Sequence, residues 1–412
     1  MGKRIAALVL SACMALPLFG CGSKLAAQSL TEGVTARTID THIDLTDDST
    51  AVMDFAAALL RQTTKEEGVL LSPVSLLYAL GMTANGAAGT TLSQLEQATG
   101  MDRDTLNDYL YTYRMSLPEN TKKCKLSLAN SLWVRDIFRV EDSFLDNCVS
   151  YYDAEVYRSA FDEAMKNDLN HWVSKQTDGM IDKLLEQAPD QRTMLYLVNA
   201  VCFDAKWKKP YEKENIQKGV VFTAADGTRQ TADLLWSQES LYLSDDNTIG
   251  FMKYYDGGRY AFVGLLPNEG VSIADYVAGL TGGKLHALLN DPQHGTVEAA
   301  IPRFKASSSL ELSDALKAMG VTDAFDSAAA DLRAMGGAPN DQLYVSAVLH
   351  KTYLELDENG TKAAAVTAVA NDAACAEPPE VHRVVLDRPF VYMIVDTHAN
   401  LPLFLGTVTT MS

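Results

Sequence analysis

Seven histidines and six cysteines are the residues of this 412-residue chain best suited to acid–base, nucleophilic or metal chemistry. Their spacing builds none of the usual constellations. The chain has no nucleophile elbow, zinc-binding His-Glu pattern, phosphate-cradling loop or dinucleotide turn. His171, His286, His294, His382 and His398 stand in polar or turn-like contexts. His350 differs: it lies between Leu349 and Lys351 inside a strand pattern and reads as a hydrogen-bonded core histidine. A Ser-His-Asp triad gathered from distant positions stays open, because triads need no local motif. No catalytic residue, cofactor or metal is expected.

The widely spaced cysteines do not form a disulfide framework. Cys124, Cys148 and Cys202 fall in apolar segments, where a small buried hydrophobe is the expected role. Residues 1–20 have the form of an export signal, with Lys3 and Arg4 ahead of an apolar run, Ile5 to Phe19, too short to span a bilayer. Leu18-Phe19-Gly20-Cys21 resembles a bacterial lipobox, which would make Cys21 the lipidated first residue. Leu10-Ser11-Ala12-Cys13 also fits that motif, but it leaves few apolar residues before cleavage. An ordinary cleaved signal is the alternative. Two acyl chains anchor stably where one is marginal, so the expected location is extracellular, lipid-anchored at the cell surface or secreted. Cys375 stands apart, at the end of "DENGTKAAAVTAVANDAAC" (Asp357 to Cys375). That run lacks the bulky residues of a core and the Gly, Pro and Ser density of a passive linker.

The elements around these residues follow an α+β order. Residues 21–45 show little apolar periodicity and read as a flexible tether. From Asp47 the pattern is helical, with Ala51, Phe55, Ala58 and Leu59 on one face. Ser72-Pro73 opens a second apolar helix, and two more follow to about Ser116. Strand signals dominate the remainder, from "CKLSLANSLWV" through "RPFVYMIVD" and "LPLFLGTVT". Among them, "MLYLVNAVCFDAKW" is apolar almost throughout, as in a central strand covered on both faces. No repeat or internal linker appears, so residues 46–412 read as one large domain although they exceed the usual size of a single core. With 53 acidic and 35 basic residues the net charge is −18, which argues against nucleic acid as a partner.

Several segments together resemble the serpin family over nearly all of Asp47 to Ser412. They are Ser72-Pro73-Val74-Ser75, "NGAAGTTLSQLEQATG", "LVNAVCFDAKWKKPY", "IPRFKASSSLELSDALKAMGVTDAF", "VLHKTYLELDENGTKAAAVTA" and "RPFVYMIVDTHANLPLFLG". The resemblance implies a large central sheet, two smaller sheets, about eight or nine helices, and an exposed reactive loop at about 358–379. It also implies that Ser72, Ser75, Asn199 and His350 form a polar cluster beneath the sheet, and that Trp207 marks the point where strand insertion begins. Glu358 and Arg303 match an ion pair at the loop base.

The loop itself can be read physically. As a strand it would turn Thr361, Ala363, Ala365, Thr367 and Val369 to one face, all small or β-branched and uncharged. The other face would carry Lys362, Ala364, Val366, Ala368 and Ala370. Gly360 supplies a hinge, so the run is a latent strand. The implied function is inhibition of serine proteases by acyl-enzyme trapping, with the inhibitor as suicide substrate and no catalysis of its own. In the family's register the scissile bond is Ala374-Cys375, with Cys375-Ala376 as the neighbour; Ala suits elastase-like or subtilisin-like enzymes. The chain is expected to be a monomer. A non-inhibitory serpin used for binding or chaperoning is the alternative, and a solute-binding lipoprotein the third, although the strand order does not suit two α/β lobes.

Overall fold

A computed structural model of the chain describes residues 25–64, 68–190, 192–338, 342–361 and 381–411. After β1 (Gln28–Ser29), helix α1 (Ser49–Thr63) leads to β2 (Val69–Leu71), α2 (Pro73–Gly86), α3 (Gly89–Thr99) and α4 (Arg103–Ser116). Next come β3 (Cys124–Arg135), β4 (Arg139–Val140), α5 (Asp142–Tyr152), β5 (Glu155–Ser159) and α6 (Glu163–Gln176). The middle is mainly strand: β6 (Leu195–Lys206), β7 (Ile216–Thr223), β8 (Arg229–Ser244), β9 (Thr248–Tyr254) and β10 (Tyr260–Pro267). Helices α7 (Ile273–Ala278) and α8 (Gly282–Asn290) precede β11 (Gln293–Pro302), β12 (Phe304–Glu311) and α9 (Ser313–Ala318). The chain ends through β13 (Gly336–Gly337), β14 (Ala347–Leu356), β15 (Gly360–Thr361), β16 (Val381–Val385), β17 (Phe390–Asp396) and β18 (Leu401–Val408).

The architecture is the expected α+β arrangement, with nine α-helices among the described residues. A seven-stranded sheet runs β1-β5-β3-β6-β15-β14-β12. A second, nine-stranded sheet runs β16-β11-β8-β9-β10-β17-β18-β2 with β7 on β8, and β4 with β13 forms a small ribbon. The apolar run of β6 is explained by its two covered faces. Leu197, Val201, Phe203 and Ala205 join the main core, while Tyr196, Val198 and Ala200 pack with Leu169, Trp172 and Val173 of α6. Helix α2 is buried at every position, and so it is apolar all round instead of amphipathic.

The tether is a correction. Residues 21–24 lie outside the described residues, but the segment that follows is laid along the body. Strand β1 pairs with the edge of β5, Ala27 N–H donates to Asp168 Oδ2 at 2.7 Å, and Arg37 N–H donates to Ser150 Oγ at 3.0 Å. Leu30 and Ile43 rest on the main core, and Leu25 and Ala27 on the cluster beneath α6. Four apolar side chains so unevenly spaced give no helix or strand period, which is why the segment looks featureless.

Candidate functional site

The central sheet is split along one line. Strands β6 and β14 pair directly in parallel from Ala347↔Tyr196 to Lys351↔Ala200. Beyond Ala200 and Lys351 they part, and β15 occupies the mouth: Gly360 pairs with Lys206, and Thr361 pairs with both Ala205 and Leu356. A tight turn delivers β15. Asp357 N–H donates to Gly360 O at 2.9 Å, and Asp357 Oδ1 accepts from Asn359 N at 2.7 Å and Gly360 N at 3.1 Å. Gly360 is required by close approach, since a Cβ there would lie 2.1 Å from Ala205 O.

Most polar groups that line the mouth are partnered. Trp207 Nε1 donates to Asp357 O at 2.9 Å, and the indole stacks on Tyr255 at 4.4 Å between centroids. The Tyr255 hydroxyl and Thr361 Oγ1 share a 2.6 Å hydrogen bond; Thr361 is only 1% exposed. Burial pushes ionisation of Tyr255 far above the ordinary tyrosine range. Beneath the indole, Lys253 Nζ pairs with Glu239 at 2.8 Å and lies 4.4 Å from the Tyr211 ring centroid. Burial pulls the Lys253 pKa down, and Glu239 opposes that shift. Arg303 Nη2 meets Glu358 Oε2 at 2.7 Å, with Asp233 at 3.5 Å on Nη1.

The closed end is built differently. His350 and Asn199 face each other across the β6–β14 pairing. His350 is 2% exposed, and its Nε2 accepts from Ser72 N–H at 3.0 Å. Burial lowers its pKa from 6.5 to about 4, so the imidazole is neutral and a true acceptor. Asn199 Nδ2 donates to Asn130 Oδ1 on β3. Ser72 Oγ, Ser75 Oγ and Asn199 Oδ1 are buried with no hydrogen-bond partner among the described residues.

The structure brings Trp207, Arg303, Glu358, Gly360 and Thr361 together at the mouth, and Ser72, Asn199 and His350 at the closed end, with Ser75 buried in α2 three residues beyond Ser72. Ala363, Ala364, Ala365, Ala374, Cys375 and Cys21 lie outside the described residues. Sequence reasoning missed Tyr255, Asn130 and the Lys253–Glu239 pair. Asn130 could have been suspected, as a polar residue midway in the apolar alternation of "CKLSLANSLWV". Nothing local distinguishes Tyr255 from Tyr254 beside it.

Comparisons with known proteins agree with this geometry. Residues 50–411 match the family described as Serpin (serine protease inhibitor). Serpin B9 of Homo sapiens is 31% identical, with 87% of this chain and 98% of that protein covered. The native-state crystal structure of tengpin, a thermophilic serpin, superposes with a TM-score of 0.88 at 39% identity, covering 93% of this chain and 100% of tengpin. Human thyroxine-binding globulin, in complex with its ligand, superposes with a TM-score of 0.78 at 25% identity, covering 89% of this chain and 99% of that one.

Proposed function

The chain belongs to the serpin family, and we propose that it is an inhibitory member that traps serine proteases as acyl-enzymes. The observation that carries this reading is the mouth between β6 and β14, already holding Gly360 and Thr361 in register with both strands. Continuing that register, Ala363, Ala365 and Thr367 would face Phe203, Val201 and Asn199 on one side and Leu354, Thr352 and His350 on the other. Small, uncharged residues meet the apolar positions, and the Thr367 hydroxyl arrives where Asn199 Oδ1 and the Ser72 and Ser75 hydroxyls lack partners. A buried polar group gains roughly 1–3 kcal/mol when satisfied, so the inserted strand would complete a cluster that the native sheet leaves incomplete.

In this mechanism the protease serine attacks the carbonyl of Ala374 and the Ala374-Cys375 peptide bond breaks. The new amine leaves on Cys375, and the protease stays esterified to Ala374. Freed at that end, the loop zips into the sheet from Thr361 onward and displaces the direct β6–β14 pairing. The attached protease is carried away from its hydrolytic geometry before water completes the reaction. Ala at the bait position suits elastase-like or subtilisin-like enzymes, and from Ala363 through Pro379 there is no Arg or Lys for a trypsin-like pocket. A lipid anchor on Cys21 would hold the inhibitor at the cell surface.

Mixing the protein with pancreatic elastase, subtilisin and trypsin tests the reading. A complex stable to boiling in detergent is expected with the first two and not with trypsin. The released fragment should begin at Cys375. Cleavage of the loop with no such complex would instead favour the binding role illustrated by thyroxine-binding globulin.

A further inference from the structure

We propose that Asn359-Gly360, in the turn that feeds β15, is a self-modifying site: it deamidates through a cyclic imide with the help of Asp357, and the product unseats the hinge. The chemistry stands apart from the inhibitory reading; its consequence for trapping rests on that reading.

The chain contains two Asn-Gly pairs, Asn85-Gly86 and Asn359-Gly360. Asn before Gly is the pair most open to this reaction, because Gly has no Cβ to obstruct the ring that its nitrogen closes. The structure treats the two pairs in opposite ways. Asn85 is 7% exposed and lies in the last turn of α2. Its Nδ2 donates to Gly81 O at 2.8 Å and to Asn107 Oδ1 at 2.7 Å, and its Oδ1 accepts from Asn107 Nδ2 and Asn147 Nδ2, both at 3.1 Å. That amide is clamped at both atoms. Asn359 is half-buried in the turn between β14 and β15, and among the described residues its side-chain amide meets only Asp357 Oδ2, at 3.5 Å.

Asp357 stands at both ends of the reaction. Its Oδ1 accepts at 3.1 Å from Gly360 N–H, the attacking nitrogen, and its Oδ2 neighbours Asn359 Nδ2, the nitrogen that leaves. A further bond, from Asn359 N–H to Oδ1 at 2.7 Å, holds the carboxylate in place. In the first step Gly360 N bonds to Asn359 Cγ, its proton passes by way of Asp357 to the amide nitrogen, and the Cγ–Nδ2 bond breaks to release ammonia. Water then opens the imide at either carbonyl, leaving an aspartate or an isoaspartate at position 359. The sum is one water consumed and one ammonia released, with no change of oxidation state.

Either product harms the hinge. A carboxylate at position 359 meets that of Asp357 where the amide had bridged the turn, and it follows Glu358 directly, so like charges crowd together. Isoaspartate also carries the main chain through the side-chain carbon, one atom longer. The bond from Trp207 N–H to Asn359 O and the pairing of Gly360 with Lys206 flank that link and fix where Thr361 enters the gap. A longer link puts β15 out of register, so insertion slows and more of the acylated inhibitor is released as cleaved product.

The test incubates the purified protein at mildly alkaline pH and follows both Asn-Gly peptides by mass spectrometry after digestion, with isoaspartyl methyltransferase marking the rearranged product. Mass gain at least ten-fold faster at Asn359 than at Asn85 is expected. In Asp357→Asn, which keeps an oxygen to accept the two backbone N–H groups but loses the basic one, the gain at Asn359 should be at least three-fold slower. A gain no faster at Asn359 than at Asn85, or an unchanged rate in Asp357→Asn, would overturn the proposal. Neither measurement needs a protease. The consequence is read by titrating elastase and subtilisin with aged and fresh protein. The stoichiometry of inhibition should rise at least two-fold in converted wild type and hold its fresh value in Asn359→Gln, whose longer side chain closes a ring far more slowly. An equal rise in Asn359→Gln would overturn the link to trapping. A fresh wild type that forms no complex would overturn the inhibitory reading and that consequence, while the mass measurements still decide the site.

Discussion

At the mouth of the gap, Trp207 Nε1, the Tyr255 hydroxyl, Thr361 Oγ1 and the Asp357 carboxylate all have partners. Six residues further along the same two strands, around Asn199 and His350, three buried oxygens have none among the described residues. Both regions are buried and both line the path of the latent strand, yet the hydroxyls and amide oxygen of the closed end lack partners where those around Trp207 and Thr361 have them. If the protein is inhibitory, as proposed, the difference would locate the strain of its native state. The mouth is already in its inserted form, with two residues of the loop seated. The closed end is a backbone pairing laid over polar groups that want a hydroxyl. On the inhibitory reading proposed above, metastability would sit at the closed end, and the mouth would fix the direction from which it is relieved.

The largest effect expected is at the first seated side chain, that of Thr361. Thr361→Arg puts a charge where the side chain is 1% exposed and hydrogen-bonded to Tyr255, at a cost of several kcal/mol. Insertion should stall, deacylation should win, and the protein should become a substrate: cleaved, with covalent complex reduced at least ten-fold on a denaturing gel. Ala363→Arg should act alike. Undiminished inhibition by both would remove the latent strand from the account. Cleavage of the wild-type loop should raise the melting temperature by at least about 10 °C, which at about 2 °C per kcal/mol for a large domain corresponds to roughly 5 kcal/mol.

How much of this was legible in the sequence differs between the two regions. The polar residues at both ends were identifiable because their flanking segments match a family, and the helices to Ser116 end where their pattern ends. The apolar run of β6 was read correctly because double-sided burial writes itself as hydrophobicity. What remained hidden depends on pairs distant in the chain. Asn130 matters because register sets it opposite Asn199, and Tyr255 because a strand from elsewhere stacks it on Trp207. The docking of residues 25–45 was hidden for the same reason: the contacts that hold it to the body are to β5, α4, α5 and α6, all distant in the chain.

The second effect is one of pH, and it belongs to the closed end. The folded pKa of His350 is depressed from 6.5 to about 4. Its contribution is therefore fully present above pH 6.5 and is lost as pH falls between 6.5 and 4, where the unfolded chain takes up a proton that the native one refuses. A shift of that size corresponds to roughly 3 kcal/mol. Native stability should fall across that window in urea titrations. His350→Gln, which keeps an acceptor for Ser72 N–H without titrating, should flatten this part of the profile. An identical slope in the variant would assign the pH dependence elsewhere.

Opposite signs at about 1–2 kcal/mol should then separate the two ends directly. Ser75→Ala removes a buried hydroxyl that bonds to nothing among the described residues, so the native form should become slightly more heat-resistant and the loop-cleaved form less so. Tyr255→Phe removes a 2.6 Å hydrogen bond and leaves Thr361 Oγ1 unpaired, so the native form should lose stability. Paired melting curves of intact and cleaved protein decide the matter. If Ser75→Ala destabilises the native state, the closed end is not incomplete and the contrast is lost.

The smallest effect expected is at the ion pair that outwardly ties the mouth together. Arg303 and Glu358 approach to 2.7 Å, but their side chains are 33% and 32% exposed, and pairs so open to water are worth under about 1 kcal/mol. Asp233 also reaches Arg303 at 3.5 Å, so the guanidinium keeps a counter-charge when Glu358 is neutralised. The backbone at this point is held independently, since Glu358 O accepts from Tyr211 N–H at 2.9 Å and Trp207 N–H binds Asn359 O at 2.9 Å. One feature pulls the other way: Arg303 Nε is buried without a partner, so the side chain is less relaxed than its exposure suggests. Glu358→Gln keeps the shape and removes the charge. It should shift the melting temperature by less than about 2 °C and leave the stoichiometry of inhibition unchanged at low and high salt. A larger, salt-dependent loss would mean that the mouth is closed from its surface and not from the buried Trp207–Tyr255–Thr361 stack.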